Sequence, residues 1–325
     1  MEQPKVTIII PIYNVEPYIE RCARSLFEQT LDSIEFIFID DCTPDNSINI
    51  LRQVLSQYPK RVNQTKILKM PHNSGLPEVR RFGIGQATGH YVAHCDSDDW
   101  VDLNMYEQLY NKGIEEDADM VVCPFMESDG INPPTPLACL PCAKNGEISN
   151  KLSCWENEWS LCNKIIKREL YSNNIIFPIG NMGEDMCLIY QLLYYCKNIS
   201  IVSDVHYYIY RNPKSITRIY TQENIYKNFL QCCDNCRLIE KFYTRNNAIN
   251  EDTKRALVRL KYNTRNILLP IVRISKYYNI WSETFPEINC HLLTNDALTL
   301  REKNKYILIR LRMFPLPWKK CLIKE

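Results

Sequence analysis

Apolar and polar residues come in alternating blocks over the first 125 positions. Val6–Ile12 is a continuous apolar run that ends in Pro11-Ile12-Tyr13-Asn14. This is the pattern of a strand buried on both faces and of the turn that leaves it. Asn14 is placed to cap a helix with Pro17 in its first turn and Ile19, Cys22 and Leu26 on one face. Phe36–Ile39 reads as a second buried strand that stops at Asp40-Asp41, and Ile48, Leu51 and Leu55 mark the helix after it. Lys66–Met70, Tyr91–His94 and Met120–Cys123 read as further strands, with a helix over Pro77–Ala87. Alternation of this kind predicts an α/β fold with a Rossmann-like, mostly parallel sheet and helices on both faces.

The pattern then changes twice. Residues 127–150 are rich in Pro, Asn and Gly and read as a linker or flexible loop. From about 151 to 215 the order reads helix, loop, helix, then strand-like Ile199–Val202 and Val205–Tyr210. After about 220 the pattern is helical, a C-terminal helical region. The expected division is therefore 1–125, 126–217 and 218–325. No apolar run reaches 18 residues, and the first residues lack the charged and apolar segments of a signal peptide. The expectation is a cytoplasmic protein.

Charge sharpens this picture. The 325 residues carry a formal charge of only +1. Residues 1–120, however, hold eleven Lys or Arg against nineteen Asp or Glu, and the remainder hold 28 against 19. An acidic front half that handles a phosphate ligand needs a bridging cation. A basic back half suits an anionic surface or acceptor. Fifteen cysteines without a secretion signal read as reduced thiols. The pairs Cys139/Cys142 and Cys233/Cys236 are too far apart, in unlike contexts, for a zinc ribbon, and core packing is the simpler reading.

The polar residues that interrupt the strands fall at strand carboxyl ends, where open parallel sheets bind ligands. Tyr13-Asn14 follows the first strand, Asp40-Asp41 the second and Asp96-Ser97-Asp98-Asp99 the fourth. Turn acids that cap the next helix explain Asp40 or Asp99 singly, but explain poorly three acids within four residues. Mg²⁺ or Mn²⁺ takes one or two carboxylates and completes its shell with phosphate oxygens and water. Gly83-Ile84-Gly85 with Gly89 imitates a dinucleotide fingerprint, but it follows a helix and precedes a strand, the reverse of what that motif needs.

Four motifs now line up: Pro11-Ile12-Tyr13-Asn14; Ile39-Asp40-Asp41-Cys42-Thr43-Pro44-Asp45-Asn46-Ser47; Asn73-Ser74-Gly75-Leu76 with Arg80; and Gly89-His90-Tyr91 leading to Asp96-Ser97-Asp98-Asp99. Their order and spacing resemble the family 2 glycosyltransferases of GT-A fold, of the bacterial surface-polysaccharide type. A weaker likeness continues through Asn163–Arg168, Gly183-Glu184-Asp185 and Tyr207–Arg211 to Ser215, so that it spans roughly residues 5–217. The resemblance makes 1–125 the nucleotide-sugar-binding half and 126–217 the acceptor-binding half. It implies that Pro11 and Tyr13 hold the nucleotide base, that Asn14 belongs to the nucleotide-sugar site, that Asp41 accepts a hydrogen bond from uracil, and that Arg80 lies near the nucleotide. Asp96 and Ser97 would contact the donor, and Asp98 with Asp96 the metal. Asp185 would be the catalytic base, with Glu184 beside it; Asp99, His206 and Arg211 complete the candidate contacts. The family's Gly-Ser after the acidic pair is Cys42-Thr43 here, and its Arg-Asn is Arg80-Arg81.

What the resemblance implies is an inverting, metal-dependent transferase. It would move a sugar from a UDP-sugar, with Mn²⁺ or Mg²⁺, to a hydroxyl of a glycan or lipid-linked acceptor in capsule, exopolysaccharide or O-antigen synthesis. Nothing points to nucleic acid. Two rivals stay open, a nucleotidyltransferase or phosphosugar enzyme on a similar sheet and a non-catalytic glycan-binding relative. The residues alone also allow Glu184-Asp185 to be a helix N-terminus, where acids favour the macrodipole. Residues 254–276 hold seven Lys or Arg and no acid among Leu257, Leu260, Ile267, Leu268, Ile271 and Ile274, and 301–325 hold eight against two acids. Both stretches fit either a peripheral contact with an anionic membrane or packing on the rest of the chain.

Overall fold

The computed structural model describes residues 3–137, 143–144, 147–148, 159–212, 221–295 and 298–313. The chain divides into two compact units, residues 1–150 with 157–212 and residues 151–156 with 213–325.

The first unit opens with β1 (Val6–Ile12), α1 (Ile19–Phe27), β2 (Ile34–Asp40), α2 (Ser47–Ser56), the short α3 (Pro59–Val62), β3 (Thr65–Lys69), α4 (Leu76–Gln86) and β4 (Tyr91–His94). Then come β5 (Trp100–Val101), α5 (Met105–Glu115), β6 (Met120–Val122), β7 (Phe125–Ser128) and β8 (Thr135–Leu137). The pair β9 (Ala143–Lys144) and β10 (Glu147–Ile148), then β11 (Lys164–Lys167), α6 (Glu184–Tyr195), β12 (Ile199–Ile201) and β13 (Tyr207–Tyr210) complete it.

A seven-stranded sheet in the order β12-β6-β11-β4-β1-β2-β3 forms the centre. Its pairings are parallel except for β11, which runs antiparallel to both β4 and β6. Strand β2 is buried along its whole length and β1 almost so, as continuous apolar runs in a doubly covered sheet must be. Residues 1–125 and 126–212 build this one sheet together. Close backbone approach explains two of the misleading glycines, Gly83 and Gly89. A Cβ on Gly83 would meet Ile9 and Ile39 side chains at 2.6 and 2.8 Å, and one on Gly89 would meet the Thr7 backbone at 2.6 Å.

Two expectations need correction. Asn14 caps no helix: it stands at φ 55°, and α1 begins only at Ile19, with Tyr18 at its N-cap. The stretch 127–150 is not merely a linker, because β7 and β8 belong to a second sheet in the order β5-β13-β7-β8. Pro136 is tolerated there because β8 is an edge strand. The helix expected from about 151 begins in residues outside those described; the described residues that follow form β11 and a 3-10 turn over Arg168–Ser172. Four residues are too few for periodicity to separate strand from helix. Residues 151–158, Ser215, Cys139, Cys142, Cys154 and 314–325 lie outside the described residues.

The second unit is helical: α7 (Gln222–Arg245), α8 (Glu251–Asn266), α9 (Ser275–Glu283) and α10 (Leu300–Arg310). Side-chain oxygens of Thr221, Asn250 and Thr299 cap α7, α8 and α10, the last in a reciprocal box with Glu302. The aliphatic residues Leu257, Leu260, Leu268 and Ile271 of the basic stretch are buried with Phe229, Ile239 and Trp281. The Lys261 ammonium lies 2.7 Å from Glu240 and 2.8 Å from Glu287. Most of the basic 254–276 segment thus packs within its own unit, although Ile274 stays exposed. In the following segment Ile307, Leu311 and Met313 are exposed, whereas Tyr306 and Ile309 are buried. No helix among the described residues is long and apolar enough to cross a membrane. The described cysteines are free thiols, and all but Cys42 and Cys290 are buried.

Candidate active site

The carboxyl ends of β1, β2 and β4 carry the polar residues the sequence singled out. After β1, Tyr13 and Asn14 are exposed and Pro11 is partly so. The Asn14 N–H donates to Thr43 Oγ1 at 2.8 Å, and Thr43 donates in turn to Asp45. Asp45 also accepts from the backbone of Glu16 and from Ser47, so it joins the turn after β1 to the loop after β2. Those bonds, with burial opposing them, hold its carboxyl below the usual range. Sequence reasoning gave Asp45 no role, although it lies inside a motif. Cys42, where the family has glycine, stands at φ 57°.

Asp41 is buried, and both carboxylate oxygens are engaged. They accept from Ser74 N–H at 2.7 Å and Gly75 N–H at 3.0 Å. Asp41 therefore fixes the turn that starts α4. Gly75, at φ 81°, completes that turn, and the next N–H, of Leu76, donates to Asn181 Oδ1 at 3.0 Å.

The acids after β4 separate by partner. Asp99 is buried and satisfied: Tyr207 Oη donates to one oxygen at 2.9 Å and Tyr210 N–H to the other at 2.7 Å. The same Tyr207 hydroxyl accepts from Asp96 N–H at 3.0 Å, which ties the whole Asp96-Ser97-Asp98-Asp99 turn to β13. Asp99 thus holds the turn, and Ser97 is buried within it. Asp98 is only partly covered. Its Oδ2 accepts from Asn212 at 2.9 Å, and its carbonyl accepts from Arg21, whose guanidinium lies 3.8 Å from the Trp100 ring and 4.6 Å from the Tyr210 ring. Arg21 and Asn212 escaped sequence reasoning because they lie far from the motif in the chain. Burial and the neighbouring Asp96 charge push the Asp98 carboxyl up, and burial with both Asp98 and Asp96 pushes Asp99 far up.

Arg80 is not at the surface, as a direct nucleotide contact requires. It is 1% exposed and fully enclosed, with Nε 2.8 Å from Glu184 Oε1 and Nη2 3.0 Å from Asp96 Oδ1. Its counter-charges hold the guanidinium firmly protonated despite burial. Glu184 is equally enclosed, and burial, opposed by Arg80 and helped by Asp185, pushes its carboxyl up to about 8. Asp185 is partly exposed. It is the more accessible member of the pair, and burial raises its carboxyl above the usual Asp range against the pull of Arg80. Both acids open α6 after Gly183, at φ 71°, as the helix-terminus reading expects.

The remaining candidates have other partners. His206 Nδ1 lies 3.1 Å from Asp102, and Arg211 pairs with Glu127. His94 is wholly buried beside Tyr171, as a core histidine, and burial pushes its pKa far down. Among the described residues no three His, Cys, Asp or Glu gather into a metal cage. The rim instead fits a hard cation bound by one or two carboxylates, Asp98 and Asp96, and completed by a diphosphate. The Asp96 charge, which with burial pushes the Asp98 carboxyl up, is what such an ion would offset.

Residues 7–182 match the sequence profile described as Glycosyl transferase family 2. The chain belongs to that family. Among its family 2 relatives, an uncharacterized glycosyltransferase EpsJ of Bacillus subtilis is 31% identical over 66% of this chain and 64% of its own length. Glycosyltransferase GlyA of Streptococcus pneumoniae is 30% identical over 67% of this chain, but over only 32% of its own length. The fold is GT-A: the structure of S. aureus TarS residues 1–349 in complex with UDP-GlcNAc superposes with a TM-score of 0.59 at 19% identity, covering 93% of this chain and 91% of that one. A mannosyltransferase from Pyrobaculum calidifontis in complex with GDP-Man and Mn²⁺ superposes with a TM-score of 0.55 at 15% identity, covering 96% and 88%.

Proposed function

We propose that this family 2 member is an inverting transferase that moves a sugar from a UDP-sugar to a hydroxyl of a glycan or lipid-linked acceptor, in bacterial cell-surface polysaccharide synthesis. The observation that carries the proposal is the meeting of Asp96, from the carboxyl end of β4, with the Glu184-Asp185 pair through one buried arginine. A donor-side acid and a proton-accepting acid thereby share one site. Relatives named as acting in surface-polymer synthesis, such as the minor teichoic acid biosynthesis protein GgaB, support the acceptor class. UDP-GlcNAc in the TarS structure supports the donor class.

The chemistry follows from the side chains. The exposed Tyr13 ring and Pro11 offer a surface on which a base can stack. Asp98 and Asp96 would hold Mn²⁺ or Mg²⁺, which when bound stabilises negative charge on a departing diphosphate. Asp185 accepts the acceptor's proton as the hydroxyl attacks. Its raised pKa makes it a stronger base than an ordinary aspartate. A single base opposite the leaving group implies one displacement with inversion. The exposed Ile307, Leu311 and Met313 beside Arg310 and Arg312 suit a peripheral contact with an anionic membrane that would hold a lipid-linked acceptor.

Product analysis tests the reading. Incubation with UDP-sugars, Mn²⁺ and a glycan acceptor is expected to yield free UDP and a glycoside of inverted anomeric configuration by NMR. Release of pyrophosphate, which reports cleavage between phosphates, would favour the nucleotidyltransferase alternative.

A further inference from the structure

We infer that Arg80 and Glu184 are positioning residues that lock the donor end of the site to its proton-accepting end. This inference rests on the proposed function and adds a division of labour within it. Glu184 touches neither donor nor acceptor but acts through Arg80. Arg80 holds Asp96 and the start of α6 in one register.

Three observations converge. The guanidinium spans two carboxylates from distant parts of the chain, at 2.8 and 3.0 Å, in a fixed fork that a flexible ammonium cannot copy. It is wholly enclosed, and so is Glu184, so neither side chain can reach a ligand in this structure. The helix that carries Arg80 is itself tied at both neighbouring loops, through Asp41 to Ser74 and Gly75 and through Asn181 to Leu76. Helix α4 is thus joined to the loop after β2, the turn after β4 and the loop before α6. Glu184 Oε1 accepts from Arg80 Nε whether or not the carboxyl carries a proton, so the link does not depend on the charge of Glu184. Arg80 Nη1 and Glu184 Oε2 have no hydrogen-bond partner. A purely structural ion pair gains little over apolar packing when such groups are left bare. A pair kept for geometry accepts that cost.

The test is a thermodynamic cycle on the full chain, read by UDP binding in Mn²⁺ and by turnover of whichever UDP-sugar the wild type uses. Glu184→Ala, although remote from any nucleotide, is expected to weaken UDP binding about fivefold, and to have no further effect in an Arg80→Met background. It should lower kcat by about a hundredfold, the order expected for misplacing a reacting group by about 1 Å. Glu184→Gln, whose amide oxygen still accepts from Nε, should lose less than about tenfold in kcat. The paired variant Arg80→Met/Glu184→Met should melt near the wild-type temperature, yet keep the loss in kcat.

Recovery of wild-type kcat in that paired variant would show a merely structural pair. A Glu184→Gln loss as large as that of Asp185→Asn would make Glu184 a base. Equal effects of Glu184→Ala with and without Arg80 would deny coupling. If the paired variant fails to fold, Arg80→Lys decides: full kcat with an ammonium overturns the inference, and lost kcat in a folded protein upholds it. Failure of the functional proposal looks different, since the wild type would then release no UDP from any donor. The cycle could still be read in melting temperatures, where additive effects of Arg80→Met and Glu184→Ala would overturn the link.

Discussion

Two acidic turns flank β1 at the carboxyl ends of β2 and β4, and they use their oxygens differently. After β2, Asp41 gives both oxygens to the backbone of residues 74 and 75, and Asp40 gives one to Thr43 N–H. After β4, Asp99 is likewise consumed by Tyr207 and Tyr210, whereas among the described residues the Asp98 and Asp96 carboxylates each accept from one side chain, Asn212 and Arg80. The first turn is a loop anchor, and the second is the one proposed above to take a ligand. Acids in one motif are therefore sorted by their partners, not by their spacing.

Substitutions can break or sharpen this contrast. The largest loss is expected at the far side of the site: Asp185→Asn should cut turnover by about 10²–10⁴ with UDP affinity little changed, because a general base acts in the transition state. Lost UDP binding with kept turnover would make Asp185 a donor ligand. Asp98→Ala should follow, costing about a hundredfold or more in turnover. Its melting temperature should hold, because Asn212, which donates to the Asp98 carboxylate, is polar and partly exposed.

Asp41→Ala should reverse that pattern. Two backbone N–H groups lose a charged acceptor, and stability should fall by about 2–3 kcal/mol in urea titration. The family likeness also gives Asp41 a uracil contact. UDP binding more tightly than CDP, with the preference lost in Asp41→Asn, would show that it does both; no preference would leave it an anchor alone.

A smaller effect concerns pH. Asp185 must be ionised to accept a proton, and its pKa is raised above 3.8, so kcat should fall as pH drops through a value above that of an ordinary aspartate. An acid limb at 3.8 or below would contradict the burial of this carboxyl. The smallest expected effect is weak, salt-sensitive co-sedimentation with anionic vesicles, reduced by Leu311→Ser with Met313→Ser, two exposed positions. Retention of binding in that variant would place the contact elsewhere.

Most of the parallel sheet was legible because β1, β2 and β4 are buried on both faces and so read as unbroken apolar runs. Strand β11 was not, because it holds only four residues and inserts antiparallel between two strands far from it in sequence. The acids of the rim were legible from type and place. Their sorting was not, since it depends on Tyr207, Asn212 and Arg21, which reach the turn from elsewhere in the fold. Arg80 was found by its motif, but its burial between Asp96 and Glu184 was not foreseen. Nothing in Asn-Ser-Gly-Leu-Pro-Glu-Val-Arg indicates that its last side chain points into the protein and not into the cleft.

The most direct test of the contrast is calorimetric titration of UDP into the full chain, with Mn²⁺ and with EDTA, for the wild type and for Asp98→Ala. The account predicts that UDP binds the wild type only with the metal, and that Asp98→Ala loses this binding while remaining folded. Equal UDP affinity in EDTA, or in the folded Asp98→Ala protein with Mn²⁺, would contradict it.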